Sequence, residues 1–483
     1  MLLFRNVARY VLLVSIALLS QGAAVSAASL QLLYHYLPIT DTLTVFLQER
    51  PAGTLISSLS ASESGIVNRM HLSVVMTAPG GTAQQIVLEE QRYFGQDGML
   101  QSARQRMESP AGTSAWELHG DADSLWKLAV TTAGVVNCRN IAPVKEPIGS
   151  LAALYTGVIE GTLRKGTTWN DTAVELTSGE LVATRTRCVG TPADTRDSCW
   201  EFTCYSDMLD RTEVWKLDRR GKTIYREMFP YTGRMQTAGA VSAQVPAGEA
   251  DAMFEMMKIN VPERLAAGKQ RVQVTFGSAN HPDTSVARFY EVVGGKWYLK
   301  PFTKKCTEAA GDPLTPEARK SLCSATPTLQ SSHERIQRVA DSLSRGVTGS
   351  CALVKTFNHA VYRMLAKRNV ATFSSALETL DAGYGDCGEH AVLLAALLRA
   401  AGVPARVVLG VLHVESKKGY YYHAWVMAYT GTWVFADPSH DMFPASADRV
   451  PLVFDDDGTH MLSVAKLIGR IAIKHVPIRK TTP

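Results

Sequence analysis

The sequence predicts a multi-domain α+β protein, in which a β-rich antiparallel N-terminal region is followed by a smaller α+β domain. The chain has 483 residues, which is enough for roughly two to four domains. Much of the first half alternates apolar and polar residues with the period of a strand, and a helical period begins only near residue 331. With 46% hydrophobic and 20% charged residues, the composition is that of a globular protein and excludes wholesale disorder.

The first 27 residues have the pattern of an export signal. Arg5 and Arg9 precede the apolar run Tyr10–Leu19, and small residues suited to cleavage lie at 25–27. The run is short for a bilayer span, and an uncleaved N-terminal membrane anchor is the alternative. No later segment is long and apolar enough to span. We therefore expect an exported protein, periplasmic or secreted, with no membrane span after signal removal.

Residues 28–255 are predicted to form a β-rich domain, for which the sequence indicates no role. Four runs have the composition and alternation of strands: His71–Thr77, Gln85–Phe94, Leu125–Val136 and Thr212–Leu217. Turn-forming residues follow two of these runs, at 95–98 and 218–221. The pattern favours a large antiparallel sheet or a sandwich.

Residues 256–330 are predicted to form a small β-unit and a disulfide-stapled linker. The segment Glu249–Leu265, which leads into this region, favours a short helix. Alternating apolar residues at 272–276 indicate a half-buried strand. A hairpin is expected next, because Phe289–Val293 and Lys296–Leu299 flank a pair of glycines. A proline-containing loop then leads into the last domain.

Export would permit disulfides among the eight cysteines. If Cys387 is a free nucleophile, seven remain, so at least one further thiol has no partner within the chain. The expected pairs are Cys306 with Cys323, and Cys188 with Cys199 or Cys204. A metal site at these last three cysteines is the weaker alternative, because no histidine accompanies them. We expect Cys351 to be a small buried residue of a helix.

Residues 331–483 are predicted to form the α+β domain. Apolar stripes with a helical period begin at Ile336 and Phe357, and a short helix is expected at Ser374–Leu380. The run Ala391–Ala400 is typical of a buried helix, which Gly402 and Pro404 end. Three strand candidates follow: Ala405–Leu412, Tyr421–Tyr429 and Thr432–Ala436.

Cys387 lies directly ahead of this buried helix. Asp386 is placed to cap the helix, with Glu389 three residues on in the register of a capping box, and Gly385 allows a tight approach. A cysteine in the first helical turn faces unpaired N–H groups and the positive end of the helix dipole, which favour a thiolate. The plain alternative is a buried structural thiol.

His423 and Asp437 fall on neighbouring predicted strands. A hairpin would put Asp437 beside His423, where the carboxylate could hold one tautomer of the imidazole while the other ring nitrogen faces sulfur. Taken singly, each residue also fits a plain structural role, as a packed core histidine or a turn aspartate. Together with Cys387 they form the minimum apparatus for acyl transfer through a thioester.

The stretch 331–480 resembles the transglutaminase-like superfamily of papain-like thiol enzymes. The resemblance rests on these segments: Ser375–Leu380, Gly385–Cys387, Leu394–Arg406, His423–Trp425 and Asp437–Ser439. It implies a papain-like or transglutaminase-like α+β fold for this domain. It also implies that Cys387 is the nucleophile, His423 the catalytic histidine and Asp437 the catalytic aspartate.

The family pattern does not supply the second donor to the oxyanion in this chain. Transglutaminases supply it from an upstream tryptophan, but this chain has no tryptophan between Trp297 and Trp425. The backbone N–H of Cys387 can give one hydrogen bond. Tyr384 or Asn358 is our candidate for the other.

We expect an exported cysteine enzyme that acts on amide bonds of a peptide or a Gln side chain, with proteins or peptides of the cell envelope as a candidate substrate source. Hydrolysis is favoured over transamidation, because water resolves the thioester unless the cleft excludes it. The alternative is a catalytically degenerate domain that binds peptides or acts as an envelope scaffold.

Neither nucleic acid nor a cofactor is expected. A net charge of +5 without a basic stripe does not indicate a nucleic-acid partner. Cys387 and His390, with His413 and His440, are the weaker alternative of a zinc site. The acidic turn at 455–457 could contact calcium, but such turns are more often simply solvated.

Overall fold

The computed structural model describes most of the chain. The described residues are 27–47, 49–77, 83–109, 112–120, 124–208, 210–228, 231–235, 258–261, 270–277, 281–300, 305–308, 313–368, 374–446, 448–458, 464 and 467–477. Those up to Met235 form one compact unit, and those from Lys258 onward form another. The predicted export signal lies outside the described residues except for Ala27. Within the described part of the chain, no helix has the length and apolar character needed to cross a membrane.

The N-terminal unit contains one antiparallel sheet of fourteen strands. Its strands are β1 Ile39–Leu47, β2 Arg50–Ser62, β3 Gly65–Thr77, β4 Ala83–Gly95, β5 Leu100–Ser109, β6 Gly112–His119, β7 Trp126–Thr132, β8 Val135–Ile141, β9 Thr168–Val174, β10 Leu181–Gly190, β11 Trp200–Ser206, β12 Arg211–Leu217, β13 Thr223–Met228 and β14 Tyr231–Met235. Two helices accompany them, α1 Ala27–Tyr36 and α2 Gly149–Ile159. Two meanders, β1 to β8 and β9 to β14, join where β1 pairs with β14. The predicted large antiparallel sheet is confirmed.

The prediction of one strand over Leu125–Val136 is wrong. The run contains β7, a turn at Ala133 and Gly134, and the beginning of β8, which pairs back on β7. Both turn residues have positive φ, 52° and 75°. Apolar residues on both sides of the turn hide it from a composition-based reading, and only the glycine marks it.

The core of the sheet follows the strand period, but it also encloses charge. Arg92 is 1% exposed and holds two buried carboxylates, with Nε 2.7 Å from Glu90 and Nη1 2.7 Å from Glu146. Burial raises the pKa of Glu90 to about 7 despite its ion pair with Arg92. The pairing satisfies the guanidinium, which an apolar interior could not hold alone.

The C-terminal unit is a mixed α/β structure. Its strands are β15 Ile259–Asn260, β16 Gln270–Phe276, β17 Tyr290–Val293, β18 Lys296–Leu299, β19 Ala366–Lys367, β20 Tyr384–Gly385, β21 Ala405–Val414, β22 Gly419–Tyr429, β23 Trp433–Ala436, β24 Arg449–Phe454 and β25 Ile471–Pro477. Its helices are α3 Pro316–Cys323, α4 Glu334–Ser344, α5 Ser350–Met364, α6 Ala376–Ala382 and α7 Cys387–Ala400, with short 3₁₀ turns at Ala287–Phe289 and Glu415–Lys417. A five-stranded sheet has the order β15-β22-β21-β24, with β23 also on β22. Strands β17, β18, β16 and β25 form a second sheet, and β19 and β20 a small parallel one.

Helix α7 is the centre of this unit. All its residues from Gly388 to Arg399 are buried, and it packs against β21 and β22 on one side and against α3, α4, α5 and α6 on others. The nearly continuous run of Ala, Leu and Val explains this position, since a helix that is apolar all round must be enclosed. The predicted α+β fold of the domain is confirmed.

The described part of the predicted helix Glu249–Leu265 contradicts that prediction. Ile259 and Asn260 form β15 and pair with Tyr420 and Gly419 of β22, while the predicted range outside 258–261 lies beyond the described residues. Hydrogen bonds to the free edge of β22 override the local helical preference here. The predicted hairpin is present as β17 and β18, with both linking glycines at positive φ, 56° and 71°.

The disulfide prediction is wrong. Cys306 is bonded to Cys351, with Cα atoms 5.9 Å apart, and Cys323 is a free thiol. The Glu308 carboxylate accepts a hydrogen bond of 3.0 Å from the backbone N–H of Cys351, so the chain after Cys306 runs beside the start of α5. Cys351 is therefore a bonded residue rather than an inert one.

The second expected pairing fails as well, because the cysteines at 188, 199 and 204 are free thiols. For Cys188 and Cys204, strand register gives the reason. Cys188 lies opposite Phe202, and Cys204 lies opposite Thr186, so neither cysteine faces another across β10 and β11.

Replacing both Cys306 and Cys351 by Ser should destabilise the C-terminal unit by about 2–4 kcal/mol, because the bond closes a long loop in the unfolded chain. Hydrogen exchange of α7 peptides in the full chain measures this loss of stability, because exchange requires the unit to open. Cys323→Ser is the matched control and should leave exchange nearly unchanged. Peptide mapping without reductant should recover a cross-link of 306 to 351, and recovery of 306 to 323 would contradict the fold.

Candidate active site

The start of α7 presents Cys387 in the predicted capped position. Asp386 is the N-cap, and its Oδ1 accepts a 2.7 Å hydrogen bond from the backbone N–H of Gly388. The Glu389 carboxylate accepts one of 3.0 Å from the backbone N–H of Asp386, which completes the capping box. A Cβ on residue 385 would lie 2.3 Å from the Cβ of Glu389, so Gly385 is required for this approach.

Packing of α7 on the central sheet brings the cysteine to β22. The backbone N–H of Ala424 donates a hydrogen bond to the Cys387 sulfur. Ala424 is the direct neighbour of His423 in that strand. Two segments separated by more than thirty residues of chain therefore meet at the predicted nucleophile and the predicted histidine.

The β22–β23 hairpin carries the rest of the predicted triad. The pairing of Val426 with Ala436 places Asp437 at the end of the hairpin, next to His423. The Nε2 of His423 donates to Oδ2 of Asp437 at 2.7 Å, and the side chains are 7% and 0% exposed. Because Nε2 is engaged with the carboxylate, Nδ1 is the ring nitrogen left for proton exchange.

Asp437 has more partners than the predicted triad includes. Its Oδ2 also accepts from Arg449, at 3.1 Å from Nε and 2.5 Å from Nη2, and from His440 Nδ1 at 3.1 Å. Its Oδ1 accepts from the backbone N–H and the hydroxyl of Ser439, at 3.1 and 2.8 Å. Burial would raise the pKa of Asp437, but His423, His440 and Arg449 outweigh it and hold the pKa well below its ordinary value.

The local sequence signals for these additional residues are unequal. Ser439 lies two residues after the aspartate, where an Asx turn places a backbone donor and a hydroxyl. His440 is only one position further on. Arg449 is twelve residues away on β24, and nothing in the local sequence points to it.

The electrostatics of Cys387 differ from the expectation of a favoured thiolate. Although the residue as a whole is half-buried, burial around its sulfur raises the pKa of the thiol, and the charge of Asp386 raises it further. The Ala424 N–H acts in the opposite direction with less effect. Burial also lowers the pKa of His423, in spite of Asp437. Both shifts favour a neutral thiol and a neutral imidazole over an ion pair, because desolvation of charge outweighs the helix terminus.

The two candidates for the second oxyanion donor have other partners. The Asn358 amide is buried and donates to Asp441 Oδ1 at 3.4 Å. Tyr384 lies in β20, half-buried, with the guanidinium of Arg368 4.7 Å from its ring centre. Their role as oxyanion donors stays a prediction.

The proposed zinc ligands do not converge. His390 Nδ1 lies 2.6 Å from the carbonyl oxygen of Asp386, and the His413 ring packs against Tyr420. Among the described residues, the group with metal-ligand spacing is His423, Asp437 and His440, whose ligand atoms lie within 4.8 Å of one another. The Arg449 guanidinium on the same carboxylate disfavours a cation there.

The acidic turn at 455–457 is used for ion pairs. Asp456 lies 2.9 Å from both Arg399 and Arg406, which connects the end of α7 to β21. This contact gives Asp456 a structural role that needs no calcium ion.

Comparison with known proteins identifies the domain. Residues 330–438, under a quarter of the chain, match the family model of the transglutaminase-like superfamily, and the match includes Cys387, His423 and Asp437. An uncharacterized protein of Mycobacterium leprae is 37% identical over 79 residues, which are 14% of this chain and 27% of that protein. The chain thus spans about a quarter of that relative's length. The C-terminal domain is transglutaminase-like, as predicted.

Two solved structures are also similar. One, described as a candidate cysteine protease from Cytophaga hutchinsonii, is 18% identical, with 35% of this chain and 59% of that chain covered and a TM-score of 0.28. The other, described as a candidate protease from Parabacteroides distasonis, is 13% identical, with 76% and 65% covered and a TM-score of 0.21.

Replacing Asp386 by Asn should speed alkylation of Cys387 by iodoacetamide at pH 7, by roughly three- to tenfold. The reason is that the variant removes a negative charge beside the thiol, which lowers the thiol pKa, while Asn still caps the helix. Peptide mapping after timed labelling gives the rate. Asp381→Asn, an exposed aspartate of α6, is the control and should label like the unmodified chain. A slower or unchanged rate in the Asp386 variant would contradict this account.

Proposed function

We propose that the C-terminal domain is a cysteine enzyme that cleaves or exchanges amide bonds through a thioester on Cys387. The observation that carries the proposal is the buried, hydrogen-bonded pair of His423 and Asp437, in which His423 adjoins Ala424, the residue whose N–H contacts the Cys387 sulfur. A structural histidine would not require a fully desolvated, ionised carboxylate with this number of donors.

The first half-reaction forms the thioester. Nδ1 of His423 takes the thiol proton as Sγ of Cys387 attacks the amide carbonyl carbon. The oxyanion of the tetrahedral intermediate accepts a hydrogen bond from the backbone N–H of Cys387. The C–N bond then breaks, and His423 returns its proton to the leaving amine.

The second half-reaction restores the thiol. Water, or an amine in transamidation, attacks the thioester carbon while His423 accepts its proton. The C–S bond breaks, and that proton returns to sulfur. Asp437 stays ionised throughout, so it stabilises the imidazolium of each transition state without changing its own protonation.

A neutral resting pair makes this a general-base mechanism. The thiol and the imidazole become charged only as the proton moves, and the carboxylate is already in place when they do. Preorganised negative charge at Asp437 compensates for the desolvation that disfavours the ion pair in the empty site.

Hydrolysis of peptide or Gln side-chain amides is the reaction that we propose, with protein substrates. We further propose that the protein acts after export, in the periplasm or outside the cell. The N-terminal sequence pattern supports export, and so does the Cys306–Cys351 bond, since such bonds persist in oxidising compartments. The second candidate function is a degenerate peptide-binding domain, which the raised thiol pKa favours.

Cys387→Ser should lower turnover by at least about 10³-fold, and Asp437→Asn by roughly 10²- to 10⁴-fold, with folding retained. Turnover is measured on a quenched-fluorescence peptide library, and on a Gln-containing peptide with a fluorescent primary amine. Peptide cleavage or release of ammonia without amine incorporation indicates hydrolysis, and incorporation indicates transamidation.

Cys323→Ser is the matched control, because Cys323 is a half-buried free thiol outside the site, and it should retain full activity. Trapping of an acyl group on Cys387 by mass spectrometry identifies the nucleophile directly. Equal alkylation of several free thiols in the native chain, with no acyl-enzyme, would favour the peptide-binding alternative.

A further inference from the structure

Oδ2 of Asp437, the proposed catalytic carboxylate, has more hydrogen-bond donors around it than it has lone pairs to accept them. A carboxylate oxygen offers about two lone-pair directions. Oδ2 of Asp437 lies within hydrogen-bond distance of four N–H groups, one from His423, one from His440 and two from Arg449. Oδ1 offers no relief, because Ser439 occupies it with two donors. The donors on Oδ2 therefore compete, and loss of one strengthens the others.

His440 is the most exposed of the donors on Oδ2. Its side chain is 38% exposed, against 7% for His423 and 1% for Arg449. Its ring centre lies 5.1 Å from that of His423. A positive charge at this distance in a partly buried site disfavours a second positive charge on the neighbouring ring. Consistently, His440 acts to lower the pKa of His423.

We propose that His440 is a positioning residue of the site: it takes part of the Asp437 carboxylate from His423, and a positive charge on its ring disfavours protonation of His423, which then stays able to accept a proton from Cys387. The proposal rests on the thiol-enzyme function proposed above. The proposal adds the imidazole of His440 to the partners of the catalytic carboxylate. It also gives His440 an effect on activity at acid pH.

Other charged or titratable groups also face the site from neighbouring elements. Helix α7 contributes Cys387 and His390, with Asp386 as its N-cap. Strand β24 contributes Arg449, which pairs with Asp448. Lys367 comes from β19, and its Nζ donates to the Ser439 carbonyl at 3.2 Å. His359 of α5 pairs with Asp441, 2.8 Å away. A His440 variant leaves each of these groups in place. A change in the titration midpoint of His423 in that variant is therefore caused by loss of the His440 imidazole.

The test is the titration of His423 in the full chain, followed by NMR of isotopically labelled histidine rings. His440→Gln keeps a neutral side-chain donor but removes the charge, so the midpoint of His423 should rise by about one pH unit. His359→Gln is the matched control. It removes the histidine that pairs with Asp441, the residue after His440, and it should leave the midpoint of His423 unchanged. An unchanged or lower midpoint in the His440 variant would overturn the proposal.

A second readout connects the titration to reactivity. The acid limb of Cys387 alkylation against pH should move to higher pH in His440→Gln, in step with His423. If His440→Gln lost its fold by circular dichroism, His440→Asn would serve as the second neutral variant. If Cys387 in the native chain is not selectively alkylated while the His423 midpoint still shifts, the enzyme function fails and the coupling of the two imidazoles stands.

Discussion

Ionised Asp437 at the end of the β22–β23 hairpin is the constraint on which the site depends. Its side chain is 0% exposed, and a carboxylate in that position is tolerated only when donors replace its lost water. Arg449, His440 and Ser439 supply these donors, together with His423. The orientation of the proposed catalytic imidazole thus follows from how the fold satisfies one buried charge.

The same burial makes the thiol less acidic. Helix α7 is enclosed over nearly its whole length, so the sulfur at its first turn lies in surroundings that disfavour a thiolate. The enclosed helix fixes the position of the sulfur beside β22, but the same enclosure lowers the reactivity of the resting thiol. In such a site, activation depends on His423 and on the charge already placed at Asp437, rather than on a standing ion pair.

The N-terminal unit has a simpler construction, an antiparallel sheet with a buried arginine cluster. Two meanders joined through β1 and β14 build its sheet, so most strands pair with their neighbours in the sequence. One departure from an apolar core is the Arg92 cluster, where one guanidinium pairs with Glu90 and Glu146. Both units thus bury an arginine among carboxylates, but only Arg449 does so within the candidate site.

The sequence by itself determined the features that depend on local pattern: the β-rich first half, the capped apolar helix behind Cys387, and the hairpin that brings His423 and Asp437 together. These follow from residue periodicity and capping chemistry, which act over a few residues. Tertiary structure alone decided the Cys306–Cys351 bond, the pairing of β15 with β22, the choice of Arg449 and His440 as partners of Asp437, and the acidity of the thiol. Each of these depends on which distant segments lie within a few ångströms and how far they exclude water, and neither quantity is encoded in the order of neighbouring residues.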